Sequence, residues 1–340
     1  MRLFSTEQVS RWHPDKMADQ VSDAIVTACL AIDKGSHVAC ECLLKGSTCV
    51  LAGEITTRAQ IDYSEIAWKK LKELEPWKDY EVIERITRQS PEINSAIEQD
   101  PNQGAGDQGL MFGYATSETA SMLPYGFALA NMIIERLERD VEENLGWLKG
   151  DAKTQVTVDL DEKGVDSIQL ILISACHYPK RTLDEVREHI RDLFPDFPKE
   201  KLLINPSGSW TIGGPDADAG LTGRKIVADQ YGGYCPVGGG AFSGKDPSKV
   251  DRSASYMARQ IACDLVIKHR LQWCEVQLAY AIGVAEPVSV VALTDKGDNL
   301  SVEVLDDYDL TPRGIIESLG LLDKDYGELA RGCHYRKPIK

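Results

Sequence analysis

The strongest constraint on the fold is a rhythm. Apolar segments come in pairs and are accompanied by helical segments, about three times at intervals near 100 residues. Residues 38–44 and 48–57 read as strands joined across Lys45-Gly46, followed by an amphipathic segment at 63–74. Residues 152–160 and 165–174 flank the turn Asp161-Glu162-Lys163-Gly164, and a helical segment follows at 183–194. The third pair, 274–282 and 288–293, lies between helical segments at 252–269 and 312–319. Two further helices are expected. One carries Met17, Val21, Ala24, Ile25, Ala28 and Ile32 on its apolar face, and the other spans 125–143. Paired strands with helices on one face specify an α+β fold, not a doubly wound α/β sheet. The expectation is three similar domains, at 1–100, 101–210 and 211–340, each a small mixed sheet with helices on one face.

Residues 238–252, GGGAFSGKDPSKVDR, concentrate the chemistry. Glycines let a backbone approach a ligand and adopt positive φ. Their N–H groups can line an anion-binding concavity. Lys245 and Lys249 add positive charge, while Asp246 and Asp251 add carboxylates that suit phosphates only with a cation between them. The stretch reads as a polyphosphate–metal site. It nearly spells a Walker A loop through Gly239, Gly244 and Lys245. The next residue should carry a hydroxyl, but it is Asp246, and Pro247 delays the helix. A P-loop NTPase is therefore rejected.

The net charge of −15 opposes general binding to nucleic acid or anionic membrane, yet leaves room for a locally basic cleft. No apolar run approaches the roughly 20 residues of a membrane span. The N-terminus lacks the apolar core of a signal peptide. Nine cysteines without zinc-ligand spacing predict buried thiols in a reducing cytoplasm. Cys40 and Cys42 should share one strand face.

Other candidates admit two readings. His13 and Asp15 fall at a helix N-terminus, where they could serve an anion site or merely cap the helix. Glu41 and Glu54 interrupt apolar strands, as cation partners or as exposed edge residues. Residues 89–108 are polar and rich in Pro, Gly and Asn. They suit a lid hinged at Gly104 and Gly106, or a linker. Residues 213–225 again join acid and base, Asp218 with Arg224 and Lys225, on a glycine-rich frame.

Several motifs together resemble S-adenosylmethionine synthetase. They are His13-Pro-Asp-Lys16, Gly53-Glu-Ile-Thr-Thr57, the segment 104–115, Asp151-Ala-Lys-Thr-Gln-Val156, Gly213-Gly-Pro215, Gly220-Leu-Thr-Gly-Arg-Lys225 and residues 238–253. They occur in the family's order over nearly the whole chain. The resemblance implies three α+β domains and transfer of the adenosyl group of ATP to the sulfur of L-methionine, with tripolyphosphate cleaved to pyrophosphate and phosphate. It implies two Mg²⁺ per site, K⁺, and a homodimer or dimer of dimers. His13, Lys153, Arg224 and Lys245 would be catalytic. ATP would meet these four together with Trp210, Asp218, Lys225 and Ala241, Trp210 stacking on adenine. Methionine would meet Glu54, Gln89, Asp107, Asp218 and Lys249. Asp15 and Asp251 would hold Mg²⁺, and Glu41 would hold K⁺. The site would lie between subunits, with Glu54, Gln89 and Asp107 from one chain and His13, Asp218 and Lys245 from the other. Arg11-Trp12 replaces the family's Glu-Gly, which would reshape the approach to the leaving phosphates. The lid segment is shorter than in common bacterial members, and the tail ends without the family's final aromatic segment. A regulatory subunit or a polyphosphate hydrolase are the alternatives. Neither needs the full set of matched residues.

Overall fold

The computed structural model describes residues 2–88, 104–161 and 164–338. Gln89 and the expected lid residues 90–103 lie outside them.

Three sheets form the frame. The first, in the order β4-β3-β2-β9, contains β2 (His37–Lys45), β3 (Thr48–Thr56), β4 (Glu81–Thr87) and β9 (Gly220–Leu221). The second, β1-β6-β7-β8, contains β1 (Arg2–Val9), β6 (Leu148–Asp161), β7 (Gly164–His177) and β8 (Leu202–Ile204). The third, β11-β10-β5, contains β5 (Gly109–Thr116), β10 (Trp273–Tyr280) and β11 (Ser289–Thr294). Each sheet takes a strand from a distant part of the chain. β1 pairs with β6 from Arg2↔Leu160 to Val9↔Lys153, β5 pairs with β10, and β9 pairs with β2.

The helices follow the expected apolar periods. α1 (Pro14–Ile32) and α2 (Tyr63–Leu74) serve the first sheet; α3 (Tyr125–Glu143) and α4 (Leu183–Leu193) serve the second. α5 (Val250–His269) covers β5 and β10, with α7 (Pro312–Leu319) beside it; the short α6 (Ser301–Asp307) packs on β11. One continuous apolar core joins α1, α5 and the first and third sheets, and a second core holds α3 and α4 on the second sheet. α4 starts with a capping box, Thr182 and Glu185 satisfying each other's backbone N–H groups. Ile32, assigned by spacing to the buried face of α1, is 64% exposed at the helix end. Cys40 and Cys42 do share a buried face, and all nine cysteines are free thiols, eight of them buried.

Besides the short β8 and β9, three longer strands escape the sequence pattern. β1 turns Thr6 and Gln8 inward, where Thr6 Oγ1 donates to the Gly232 carbonyl and Gln8 Nε2 to Asn131 and Ala228. A buried polar face does not alternate as strands usually do. β4 is mostly charged or polar and pairs parallel to β3. β5 contains Gly109 and Gly113, and glycine in a strand often marks close backbone approach. A Cβ at Gly113 would lie 2.0 Å from the backbone carbonyl of Ala258 in α5. Gly113→Ala should therefore push α5 off the sheet and cost at least about 2 kcal/mol. Urea denaturation checks this, and a loss below 0.5 kcal/mol by the ordinary surface-substitution scale would contradict it.

Candidate active site

A fully buried ion pair sets the position of the glycine-rich stretch. Arg252, in the first turn of α5, donates to Asp23 of α1 through both terminal nitrogens, at 2.8 and 2.5 Å. The same guanidinium donates to the Lys245 carbonyl at 2.7 Å, and Gly244 N–H donates to Asp23 at 2.8 Å. Gly244 has φ +83°, and a Cβ there would strike the Cys40 carbonyl. The loop consequently runs along β2, with Lys245 opposite Ala39 and Asp246 N–H donating to the Val38 carbonyl. Asp246, the residue that broke the Walker pattern, accepts from Val38 N–H (2.7 Å), Ser248 N–H (2.9 Å) and Lys249 Nζ (2.5 Å). It builds the loop.

The candidate residues fall into two clusters. Around the start of α1, His13 caps the helix and its Nδ1 accepts from Asp15 N–H at 3.1 Å. That leaves Nε2 to carry the proton of the neutral ring. Burial, then the charges of Lys225 and Lys153, pull the His13 pKa down to about 3. Asp15 accepts from Leu221 N–H at 2.9 Å and is ion-paired with Lys225, with Arg224 3.8 Å away. Burial opposes the Asp15 charge, but Lys225 and Leu221 N–H outweigh it and hold its pKa below the usual range. Asp218 and Lys153 are exposed and close enough to act on His13. Trp210 is half-buried, its backbone paired with His177 and its indole N–H on the Ile212 carbonyl.

The second cluster lies on the outward face of the first sheet. Lys245 Nζ is 2.5 Å from Asp251. A Cβ at Gly109 of β5 would come 3.3 Å from the Asp251 carboxylate, so Asp107, two residues earlier, is brought to the same edge. Glu41 and Glu54 are exposed on neighbouring strands. Burial, then Glu54, raises the Glu41 pKa, and Lys245 works against both. Lys249 is paired with Asp246. Within this chain Lys245 stands with Asp251 and Glu41, and His13 stands with Asp15, Lys225 and Lys153. Along β2 the Lys245 bridge at Ala39 and the Leu221 pairing at Leu43 are four residues apart, roughly 13 Å. Ala241 approaches the boundary, since a Cβ at Gly223 would lie 2.7 Å from it.

Among the described residues no three His, Cys, Asp or Glu side chains converge as a metal cage. Asp15 and Asp251 are instead single carboxylates, each beside a lysine. That donor set fits Mg²⁺, which commonly takes one or two carboxylates and completes its shell with phosphate oxygens and water.

The side chains of Arg11 and Trp12 are held by contacts of their own. Arg11 pairs with Glu142 of α3 and stacks 3.9 Å over Trp12. Trp12 is buried, donates to the Leu74 carbonyl at 2.9 Å and packs on Gly150. Trp12, Trp77, Tyr178 and Ile212 line a cavity of about 730 Å³ that reaches Asp151.

Sequence reading missed Asp23, Asp246, Lys16, Asp19 and Asp229 as builders of the site, and gave Asp151 no role. The signal for Lys16, Asp19 and Asp23 was a run of charges on an otherwise apolar helix, which reads as a solvated face. Asp151 accepts from Gly214 N–H at 2.7 Å through Oδ2, while Oδ1 is buried without a partner. Burial pushes its pKa to about 6. Between pH 4 and pH 6 the folded state holds a proton that the unfolded chain has released, so stability falls as pH rises through this window. Asp151→Asn keeps an acceptor for Gly214 and should flatten that fall. At pH 7.5 it should add up to about 3 kcal/mol. Urea unfolding at pH 4.5 and 7.5 measures it; an unchanged pH slope would contradict the burial argument.

The comparisons with known proteins agree across the whole chain. Residues 1–100, 102–210 and 212–339 match the models for the N-terminal, central and C-terminal domains of S-adenosylmethionine synthetase. The chain is 41% identical to the S-adenosylmethionine synthase of Helicobacter pylori, covering 99% of this chain and 94% of that protein. It is 42% identical to the S-adenosylmethionine synthase of Helicobacter hepaticus, over 99% and 93% respectively. A solved structure described as an unusual S-adenosylmethionine synthetase from Campylobacter jejuni superposes with a TM-score of 0.90, at 33% identity over 99% of this chain and 97% of that one. Sequence, domain order and fold together establish that the chain belongs to the S-adenosylmethionine synthetase family.

Proposed function

We propose that the two clusters of one chain serve two different active sites, each completed by a second copy of the chain. The enzyme is a methionine adenosyltransferase. The methionine sulfur attacks C5′ of ATP, the C5′–O bond breaks, and tripolyphosphate leaves with the bonding electrons. Hydrolysis then gives pyrophosphate and phosphate. A neutral thioether is a modest nucleophile, so the protein acts through positioning and through stabilising charge on the leaving oxygens.

The observation that carries this reading is that each cluster holds a lysine paired with a single carboxylate, Lys225 with Asp15 beside the neutral, buried His13, and Lys245 with Asp251 apart from it. His13 Nε2 is a donor for the leaving oxygen. Lys153, Arg224 and Lys225 from one copy, with Lys245 and the loop at Ala241 from the other, neutralise the phosphates. Asp15 and Asp251 hold Mg²⁺, two per site, which supplies charge neutralisation on the phosphate oxygens. Glu41 is offered as the K⁺ ligand; the like charge of Glu54, which helps to raise its pKa, supports a need for a counter-cation. Trp210 supplies an adenine platform. Glu54, Gln89, Asp107 and Lys249 position methionine, and Asp218 contacts both substrates. Lys249 must leave Asp246 or act from that pair.

The uncovered sheet faces support a homodimer, or a dimer of dimers. Leu43, 41% exposed, and Leu110, 49% exposed, point away from the helices on the first and third sheets. An isologous contact over these faces would bring the Lys245 edge of one copy to the His13 edge of the other. The segments 1–100, 101–210 and 211–340 are read as sequence units that exchange edge strands. No helix among the described residues is long and apolar enough to cross a membrane. We place the enzyme in the cytoplasm, which the free thiols support.

Lys153→Met and Lys245→Met should each lower the rate about 100-fold or more. Co-expressed with different tags, they should form a doubly tagged dimer with about half the wild-type activity, because one site collects both defects and the other neither. A doubly tagged dimer as inactive as both parents would place each site within a single chain.

A further inference from the structure

Lys16 follows His13 and Asp15 in the same motif, yet it faces the interior. It is fully buried in α1, with Nζ 3.0 Å from Asp19 and 2.5 Å from Asp229. Asp19 uses its other oxygen to accept from Gly223 N–H at 2.8 Å. Asp229 ends the single helical turn Ile226–Asp229, whose cap is Lys225, and its N–H donates to the Lys225 carbonyl. One ammonium therefore grips both ends of the segment 223–229, the start through Asp19 and the end through Asp229. Arg224 and Lys225 lie between those grips, facing Asp15. Gly223 has φ +81°, a left-handed turn that glycine adopts readily, so the backbone at this point is free to take other courses unless its neighbours are held. Burial opposes the Lys16 charge, but the two carboxylates outweigh it and hold the pKa well above normal.

We propose that Lys16 is a positioning residue for the polyphosphate: it never meets the substrate, and it sets the register of Arg224 and Lys225 by clamping the segment that carries them. The proposal rests on the reading of Arg224 and Lys225 as phosphate ligands. The test uses the full-length enzyme and calorimetric binding of tripolyphosphate with Mg²⁺, alongside KM for ATP and for methionine. In Lys16→Met, tripolyphosphate affinity and KM for ATP should worsen about tenfold, the scale of one lost charge-assisted hydrogen bond, while KM for methionine stays within about twofold. Lys16→Arg, which keeps the charge, should recover part of that loss. A purely structural lysine would lower the melting temperature and leave the affinity of the folded protein unchanged. If Lys16→Met does not fold, Asp19→Asn decides the matter. It retains the shape and an acceptor for Gly223 but weakens the hold on Lys16, and should weaken tripolyphosphate about threefold by the smaller loss of a charged partner. Wild-type affinity in the folded variants would overturn the proposal. Arg224→Ala separates the two readings: normal tripolyphosphate binding there would overturn the phosphate assignment itself.

Discussion

The bidentate pair between Asp23 and Arg252 is the constraint from which the site's geometry follows. Both side chains are fully buried, so each charge depends on the other for most of its compensation. Removing one partner from such a pair typically costs about 3–5 kcal/mol. The pair also does local work. Asp23 collects Gly244 N–H, and Arg252 collects the Lys245 carbonyl and lies 4.2 Å from the Tyr326 ring. It ties α1, the glycine-rich loop and α5 into one unit. Lys245 leaves that unit toward Asp251 because its backbone is held on the opposite side.

Buried charge recurs along α1. Asp15, Asp19 and Asp23 stand one turn apart, and each reaches a different part of residues 220–252. A helix that is charged on its buried side attracts distant loops by hydrogen bonds as well as by apolar contact. This arrangement brings residues separated by about two hundred positions to the His13 end of the helix.

Helices with an apolar stripe were legible to within a residue or two, as in Tyr63–Leu74, Tyr125–Glu143 and Pro312–Leu319. The hairpin at Lys45-Gly46 and the antiparallel pairing of β6 with β7 were equally plain, because turn chemistry is local. β1, β4 and β5 were not legible, since their identity depends on partners far along the chain and their faces carry polar groups or glycine. The glycine-rich stretch announced phosphate chemistry by composition. Its grouping of Lys245 with Asp251 and Glu41 did not follow from composition, because the loop's course along β2 is set by Asp23 and by the Gly244 conformation. The buried stripe of α1 was misleading for a simple reason: charge at helical spacing looks the same in sequence whether it faces water or a partner.

The central claim is that the His13 cluster and the Lys245 cluster of one chain belong to different sites. The most direct measurement is a crystal structure of the enzyme with a non-hydrolysable ATP analogue, methionine and Mg²⁺. The account predicts that each triphosphate meets His13, Lys153, Arg224 and Lys225 of one copy and Lys245 of the other. A triphosphate whose contacts to all five residues come from a single chain would contradict it.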